Sequence, residues 1–310
     1  MSQRDVIIQK IFAKACIDRD IVFLSVDFGA PALDQFREQL PSQFIHVGIS
    51  EQNAIDLAAG LAMGGKKVFV YGMAPFISMR CLEQIKMSLA QMSLPVVILS
   101  VGVGLGYADS GPTHYATEDL GALRSIINLD IYTISNSEQA SSVATFVLDQ
   151  EHKKPIYIRL DREVTKTKPQ KLSNENLLNG FVKVSDENDH NLVIASGYSV
   201  ALAEQALEDD SNKFSLIDWF RIKTFPEGLI EEIQKHEKVL FIDEQTAYSS
   251  NFGLLLAEIN RLRPQLLKKI EFTEMNLSEV YFYDNGGRKH LHSTVDFTAE
   301  KILKIFDCKA

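Results

Sequence analysis

Short, continuously apolar segments alternate with longer segments of helical periodicity along most of this chain, and this alternation strongly limits the possible folds. The segment 96–101 reads VVILSV, a nearly unbroken apolar run that is typical of a strand buried on both faces of a sheet. Helical segments of about 10–15 residues separate such runs, as in parallel sheets covered by helices. We therefore predict an α/β fold with two doubly wound domains, the first with a mostly parallel sheet.

The alternation is interrupted once, by a charged segment without an apolar period that begins after residue 160. We predict a first domain at 1–165, a linker at 166–190 and a smaller α/β domain at 191–310. The predicted strands are 21–26, 44–47, 68–71, 96–101, 131–134, 156–160, 192–195, 215–218 and 239–242. The predicted helices are an opening helix and 50–63, 76–92, 117–127, 137–150, 199–209, 226–236, 247–262 and 294–306.

Composition excludes several classes of protein. The formal charge of −9 and the absence of a basic stripe argue against binding of nucleic acid or of anionic membranes. Cys16, Cys81 and Cys308 are far apart and form no C-x-x-C pair, which favours reduced thiols. The sequence has neither the apolar core of a signal peptide nor the roughly 20 apolar residues of a membrane span. We expect a soluble, cytoplasmic protein.

The segment 46–65, HVGISEQNAIDLAAGLAMGG, contains the first candidate site residue. Ser50 is a suitable N-cap, and Glu51 follows in the first turn of a mostly apolar helix. A carboxylate there gains about 0.3–1 kcal/mol from the helix dipole. Glu51 could serve this purpose alone, or it could be a partly buried carboxyl group directed at a ligand.

Phe76 is the second candidate, because it follows the predicted strand 68–71 directly. Ligands of open α/β sheets bind outside the carboxyl ends of the strands, and Glu51 also follows a strand. An aromatic ring and a carboxyl group together could hold a flat heteroaromatic ligand. The alternative for Phe76 is an ordinary place in the core.

The segment 102–114, GVGLGYADSGPTH, follows the strand 96–101. It lacks the last glycine of a dinucleotide-binding fingerprint, so it is a weak match to that motif. His114, directly after Gly-Pro-Thr at a strand end, is a candidate for catalysis or ligand binding. His290 and His292 have the spacing of zinc ligands but lack further ligands nearby, so we predict no metal site. No G-x-S-x-G elbow supports a serine hydrolase.

Three motifs in order and in register resemble the transketolase family: GISEQNAIDLAAGLA, the Phe76 segment, and GPTHYATEDLGALR. The later segments LVIASG, IDWFRIKTF and VLFIDEQ extend the resemblance over nearly the whole chain. It implies a pyrimidine-binding domain followed by a transketolase C-terminal domain. The family's diphosphate-binding motif, Gly-Asp-Gly, is absent from this chain. The chain therefore resembles the second polypeptide of a split transketolase, whose N-terminal partner carries the diphosphate-binding domain.

The resemblance implies thiamine diphosphate as cofactor, with Mg²⁺ held mainly by the N-terminal partner and no metal ligands in this chain. Glu51 matches the family's glutamate that hydrogen-bonds the coenzyme's aminopyrimidine, a role that requires a desolvated carboxyl group able to share a proton near neutral pH. Phe76 matches the stacking aromatic residue, and His114 matches a histidine that contacts the ketose donor. Asp27 and Ile49 match positions near the cofactor.

The substrate side of the site departs from the family pattern. Arg162 falls where the family has an arginine that binds the acceptor's phosphate. Ser110, however, stands where the family commonly has aspartate, with Asp109 one place earlier, and Gly102 replaces a basic residue. An unphosphorylated or nucleotide-linked sugar acceptor is thus plausible, in a sugar or polysaccharide biosynthetic pathway.

Other interpretations stay open. The beta chain of a 2-oxo-acid dehydrogenase has the same two domains, but that family usually differs from this chain at Asn53 and Thr113. A deoxyxylulose-phosphate-synthase-like half is a second alternative, and a catalytically silent regulatory subunit is a third. Because the two ends of the cofactor are held by different polypeptide segments in this family, we expect an α₂β₂ heterotetramer.

Overall fold

Two β-sheets organise the part of the chain that the computed structural model describes, which is residues 1–26, 30–165, 167–186 and 188–307. In the first sheet six parallel strands are arranged in the order β2-β1-β3-β4-β6-β5. These strands are β1 Ile21–Ser25, β2 Phe44–His46, β3 Lys67–Met73, β4 Val97–Val101, β5 Asp130–Thr133 and β6 Ile156–Leu160.

The second sheet has the order β11-β10-β8-β9-β7, in which β7 is antiparallel to β9 and the other pairs are parallel. Its strands are β7 Phe181–Ser185, β8 Asn191–Ala195, β9 Ser215–Trp219, β10 Lys238–Ile242 and β11 Glu271–Met275. The fold class predicted from the alternation is confirmed: a parallel six-stranded sheet and a five-stranded mixed sheet, each within an α/β domain.

Thirteen α-helices connect and cover these strands in the described ranges. They are α1 Gln3–Ala15, α2 Asp34–Gln39, α3 Glu51–Met63, α4 Ala74–Ser78, α5 Leu82–Gln84, α6 Asp119–Arg124, α7 Ser137–Asp149, α8 Asn174–Asn179, α9 Tyr198–Asp209, α10 Leu229–Ile233, α11 Phe252–Leu262, α12 Gly287–Thr294 and α13 Ala299–Asp307. None of these helices is long and apolar enough to cross a membrane.

Both faces of the first sheet are covered, as its apolar strands predict. Every residue of β1, β4, β5 and β6 is buried. One face packs on α1 and α7, which share an apolar cluster with residues such as Phe23 and Leu99. The other face packs on α3 through Ile55 and Ala58. Burial on two sides explains why these strands lack a polar alternation.

The predicted helix at 76–92 is wrong as a single element. The structure has α4, a 3₁₀ turn at Met79–Cys81, α5 and a π-helical segment at Ile85–Ala90. Pro75 lies in the first turn of α4, where it is tolerated. The Ser78 hydroxyl donates to the Ala74 carbonyl, a bond to the preceding turn of the kind that bends helices. The break lies beside Phe76 and thus shapes the candidate site.

The segment predicted as a linker, 166–190, is wrong in its lack of structure, because it contains α8 and β7. Ser173 and Asn176 form a reciprocal capping box that begins α8. β7 is a half-buried edge strand with mixed polarity, so it has no continuous apolar signal. The domain boundaries at residues 165 and 191 stay a proposal, although β7 already belongs to the second sheet.

The second sheet contains a buried carboxyl group that should make stability depend on pH. Asp218 lies in β9 and accepts a hydrogen bond from Gln139 Nε2 at 2.6 Å. Burial raises the pKa of Asp218 to about 7. Because the folded state holds this proton over a range in which the unfolded chain, with an ordinary aspartate, has lost it, stability falls as pH rises from about 4 to 7.

We therefore expect Asp218→Asn to gain stability relative to the natural chain as pH rises over that range. Asparagine keeps an acceptor for Gln139 and cannot ionise. The measurement is the difference in Tm between the two proteins at pH 4.5, 5.5, 6.5 and 7.5, which cancels the titration of other groups. A difference that is the same at all four pH values would contradict this account.

Candidate active site

Glu51 is the first residue of α3, and its side chain is buried, with only 4% of the residue exposed. Ser50 occupies the N-cap position, but its hydroxyl donates to the Val47 carbonyl instead of capping the helix. Glu51 Oε2 accepts a hydrogen bond from Arg80 Nη1 at 2.7 Å. A carboxylate kept for the helix dipole alone needs no such burial, so the structure favours a ligand-directed role.

Arg80 joins Glu51 to Phe76, and it was not among the residues predicted from the sequence. Its guanidinium carbon lies 4.4 Å from the centre of the Phe76 ring. The signal was present, because Arg80 follows Phe76 by four residues and side chains at that spacing share a helix face. A planar cation with N–H donors thus contacts both the carboxylate and the ring. The pair is therefore suited to a flat, nitrogen-containing group.

His114 lies on the other side of Phe76. The two rings are 5.2 Å apart in an edge-to-face arrangement, and Thr113 Oγ1 is 3.0 Å from His114 Nδ1. The 3₁₀ turn Pro112–His114, which follows Gly111 at φ +82°, presents the imidazole. Tyr107 is next, with its ring centre 6.3 Å from that of His114.

Gly102 provides space for Tyr107. A Cβ at Gly102 would lie 2.0 Å from the Tyr107 ring, and its φ of +80° also favours glycine. The departure at Gly102 that the sequence revealed is therefore coupled to the tyrosine five residues later. An aromatic ring occupies the space of a side chain at that position.

Arg162, which follows β6, is brought to the same loop. Its Nη1 donates to Asp109 Oδ1 at 3.0 Å, and its guanidinium carbon lies 4.7 Å from the centre of the Tyr107 ring. Partial burial acts to raise the pKa of Asp109, but Arg162 outweighs it and holds that pKa below its ordinary value. Ser110 Oγ is 3.4 Å from Asp109 Oδ1. Successive contacts thus join Glu51 to Ser110 through Arg80, Phe76, His114, Tyr107 and Arg162.

Two of the candidates lie apart from this series of contacts. Ile49 precedes α3 with 78% of its surface exposed. Asp27 falls outside the described residues. Cys81, which follows Arg80, is buried, and burial together with the nearby Glu51 raises the pKa of its thiol to about 12. Since thiolate is the reactive form, Cys81 is not a nucleophile near neutral pH.

A buried ionic cluster lies behind this site, and no local pattern of the sequence indicates it. We define it as Arg288, Asp161, Glu244 and His292. Arg288 donates to Asp161 Oδ2 and to Glu244 Oε1, both at 2.7 Å, and His292 Nε2 is 2.6 Å from Glu244 Oε1. Burial acts to raise the pKa of Glu244, but Arg288 and His292 lower it to about 2.

His292, whose spacing from His290 is that of zinc ligands, is thus a partner of a carboxylate. Across the described ranges, no three His, Cys, Asp or Glu side chains form a group that could hold a metal ion. Positive charge from Arg288 compensates the two buried carboxylates instead. The cluster stabilises the contact between the two domains, because Asp161 follows β6 and Glu244 follows β10.

Comparison with known proteins identifies the family. Residues 4–167 match the family described as transketolase, pyrimidine binding domain. This chain belongs to the transketolase family. A pyrimidine-binding domain of this family implies thiamine diphosphate as the coenzyme.

Relatives extend the match beyond the first domain. One of the two subunits of an apulose-4-phosphate transketolase from Phocaeicola vulgatus is 29% identical over 265 residues, covering 84% of each chain. A subunit of a 6-deoxy-6-sulfo-D-fructose transketolase from a Clostridium species is 30% identical over 306 residues, covering 97% of this chain and 92% of the relative. The chain is therefore a homologue of the second subunit of split transketolases, and this homology implies a partner subunit.

A solved structure shows the same fold. A split-gene transketolase described as an inactive beta4 tetramer superposes with a TM-score of 0.82 at 21% identity, over 99% of this chain and 97% of that one. The resemblance to the C-terminal half of transketolase that the motifs predicted is confirmed. In the transketolase fold, the Glu51–Phe76 pair fits the aminopyrimidine end of thiamine diphosphate, because Arg80 already occupies it with a planar donor group.

Proposed function

We propose that this chain is the pyrimidine-binding subunit of a split transketolase that transfers a two-carbon ketol unit between sugars. The observation that carries the proposal is the buried Glu51 carboxylate beside the Phe76 ring, with His114 edge-on to the same ring. A chain that had lost catalysis has no need to keep a carboxylate in a desolvated position. The proposal includes a pathway of sugar or polysaccharide biosynthesis.

When bound, thiamine diphosphate supplies the carbon centre on which the ketol unit is carried. Glu51 holds a proton at a ring nitrogen of the aminopyrimidine, and its burial excludes water from that hydrogen bond. Phe76 orients the ring by stacking, with Ile49 and Asp27 nearby. His114 hydrogen-bonds the hydroxyl or carbonyl oxygens of the sugar, and Asp109, Ser110 and Arg162 bind its distal end.

An N-terminal transketolase subunit, which we call the diphosphate-binding partner, provides the diphosphate-binding domain and holds Mg²⁺. Two copies of each chain form the α₂β₂ assembly. Two observations support a partner at this place. Ile49, Met63, Met79 and Met87 are exposed apolar side chains on or beside the elements that carry Glu51 and Phe76. The related subunits are named as parts of larger enzymes, and the tetramer of a beta chain alone is described as inactive.

The experiment that tests the proposal mixes the chain with a diphosphate-binding partner that carries Gly-Asp-Gly, in the presence of Mg²⁺ and thiamine diphosphate. We expect ketol transfer from a ketose donor by the mixture and none by either chain alone. Pyruvate as donor is the second arm: turnover with pyruvate and none with ketoses would favour a 2-oxo-acid dehydrogenase or deoxyxylulose-phosphate-synthase type. Coenzyme binding without turnover of any donor would favour a regulatory role.

Arg80 gives a prediction about coenzyme affinity. Because its guanidinium engages both Glu51 and Phe76, the incoming aminopyrimidine must displace it, and this displacement costs free energy. We expect Arg80→Ala to lower the Kd of thiamine diphosphate for the mixed subunits by about 3–10-fold, which corresponds to an exposed ion pair with a cation–π contact.

The measurement is a titration of coenzyme into the mixture by calorimetry, independent of turnover. Arg37→Ala is the matched control, because Arg37 also lies over an aromatic ring, that of Phe44, outside the site. Weaker coenzyme binding by Arg80→Ala would mean that Arg80 assists binding and does not compete.

A further inference from the structure

The loop at residues 102–116, which we call the site loop, belongs to the first domain but packs on the second. It carries Tyr107, Asp109 and His114. Its apolar residues Leu105, Ala108 and Tyr115 are buried in the same cluster as residues of the second sheet and of α12. The position of His114 therefore depends on a domain that contributes no side chain to the series of contacts from Glu51 to Ser110.

Arg288, in α12 of that second domain, is the polar centre of this packing. It is 4% exposed and donates two hydrogen bonds to Glu244, one to each carboxylate oxygen, and another to Asp161 at 2.7 Å. Its guanidinium carbon lies 3.6 Å from the centre of the Tyr198 ring. Fork-shaped contacts to two carboxylates and a ring fix the position of all of these groups.

One route from Arg288 reaches the base of the site loop. A Cβ at Gly104 would lie 1.9 Å from Glu244 Oε2, so the carboxylate that Arg288 holds lies directly against the backbone of the loop. Gly104 also exchanges two backbone hydrogen bonds with Ala116, of 3.1 and 2.9 Å, which close the loop. Gln245 Nε2, next to Glu244, donates to the Ala116 carbonyl at 3.0 Å.

A second route reaches the tip of the loop. Asp161 directly precedes Arg162, and Arg162 binds Asp109 and lies over Tyr107. Arg288 thus constrains both the closed base of the loop and the arginine that holds its tip. The elements that carry Glu51 and Phe76 are α3 and α4, and none of the polar contacts described for Arg288 reaches them.

We propose that Arg288 is a positioning residue for the sugar-binding side of the site. It acts through Glu244 and Asp161 to hold the site loop so that His114 faces Phe76. This inference rests on the proposed function for its consequence in catalysis. Its structural part, the restraint of the site loop, stands independently of any activity.

The first test measures hydrogen exchange of backbone amides in the full chain mixed with the diphosphate-binding partner. In Arg288→Lys the charge is kept, but one ammonium cannot bind both carboxylates as the fork does. We expect amides of 104–116 to exchange at least about 10-fold faster, a change that reflects local opening, while β1 and β3 exchange as in the natural protein.

The second test uses kinetics and coenzyme binding on the same mixture. We expect the KM for the ketose donor to rise by about 10-fold or more through misplacement of the site loop. The Kd of thiamine diphosphate should stay within about twofold, since its contacts lie on other elements. A merely structural role would instead lower Tm without separating these two constants.

Ile259→Ala is the matched control, because Ile259 is fully buried in a different cluster of the second domain, without residues of the site loop. It should lower Tm but leave exchange of 104–116 and the donor KM unchanged. If Arg288→Lys behaves like Ile259→Ala in both measurements, the inference is overturned. If the natural mixture lacks ketol transfer, the proposed function fails, and hydrogen exchange alone decides whether Arg288 restrains the loop.

Discussion

Glu51→Ala is expected to reduce ketol transfer by the mixed subunits by about 10²–10⁴-fold, the usual contribution of a positioned proton-transfer group. The carboxylate is buried, directly follows a strand of the parallel sheet, and contacts the planar group that lies on Phe76. Alanine removes the carboxyl group that would hold a proton at the coenzyme ring. Glu51→Gln should be similarly impaired, because an amide cannot exchange the proton.

Folding should change little in these variants, because the partner Arg80 is 43% exposed at its side chain and can be hydrated. The measurements are the initial rate with a ketose donor and the Tm of each protein. Glu83→Gln, which changes a carboxylate on α5 outside the series of contacts, is the control and should keep the natural rate. Undiminished turnover in Glu51→Ala would exclude the assigned role.

Arg159→Met is expected to reduce the free energy of unfolding by about 3–5 kcal/mol, the cost of leaving a buried charge without its partner. Arg159 donates two hydrogen bonds to Asp119, from Nε at 2.8 Å and from Nη2 at 3.0 Å. Both residues are buried, and the Tyr157 hydroxyl donates to the same carboxylate at 3.0 Å. Methionine preserves much of the volume but leaves Asp119 buried with one neutral donor.

Urea denaturation of the natural chain, Arg159→Met, Asp119→Leu and the double variant measures this effect. The double variant should recover most of the loss, because it removes both charges. A loss below about 1 kcal/mol in Arg159→Met would place the pair among ion pairs with ordinary surface energetics.

The location of the site could be predicted because of where its residues stand relative to strands. Glu51 and Phe76 follow β2 and β3, and His114 belongs to the loop after β4. Parallel strands bring such positions to one edge of the sheet. Their roles in binding the coenzyme and the sugar stay a prediction.

Other features could not be predicted from local pattern. The edge strands β7 and β11 are only partly buried and mix charged with apolar residues, so they lack the continuous apolar signal of the central strands. The break between α4 and α5 depends on a hydroxyl bonding to the preceding turn. The linker prediction failed for the same reason as the edge strands.

By itself, the sequence determined the α/β class, the first parallel sheet and the place of Glu51 and Phe76, because strand burial and helix starts follow from neighbouring residues. Only the tertiary structure decided that Arg80 bridges this pair, that Arg162 is held by Asp109, and that Arg288 joins the second domain to the site loop. Those contacts connect positions up to 127 residues apart. Ionic partners at such separations are chosen by the packing of whole domains, which no local period records.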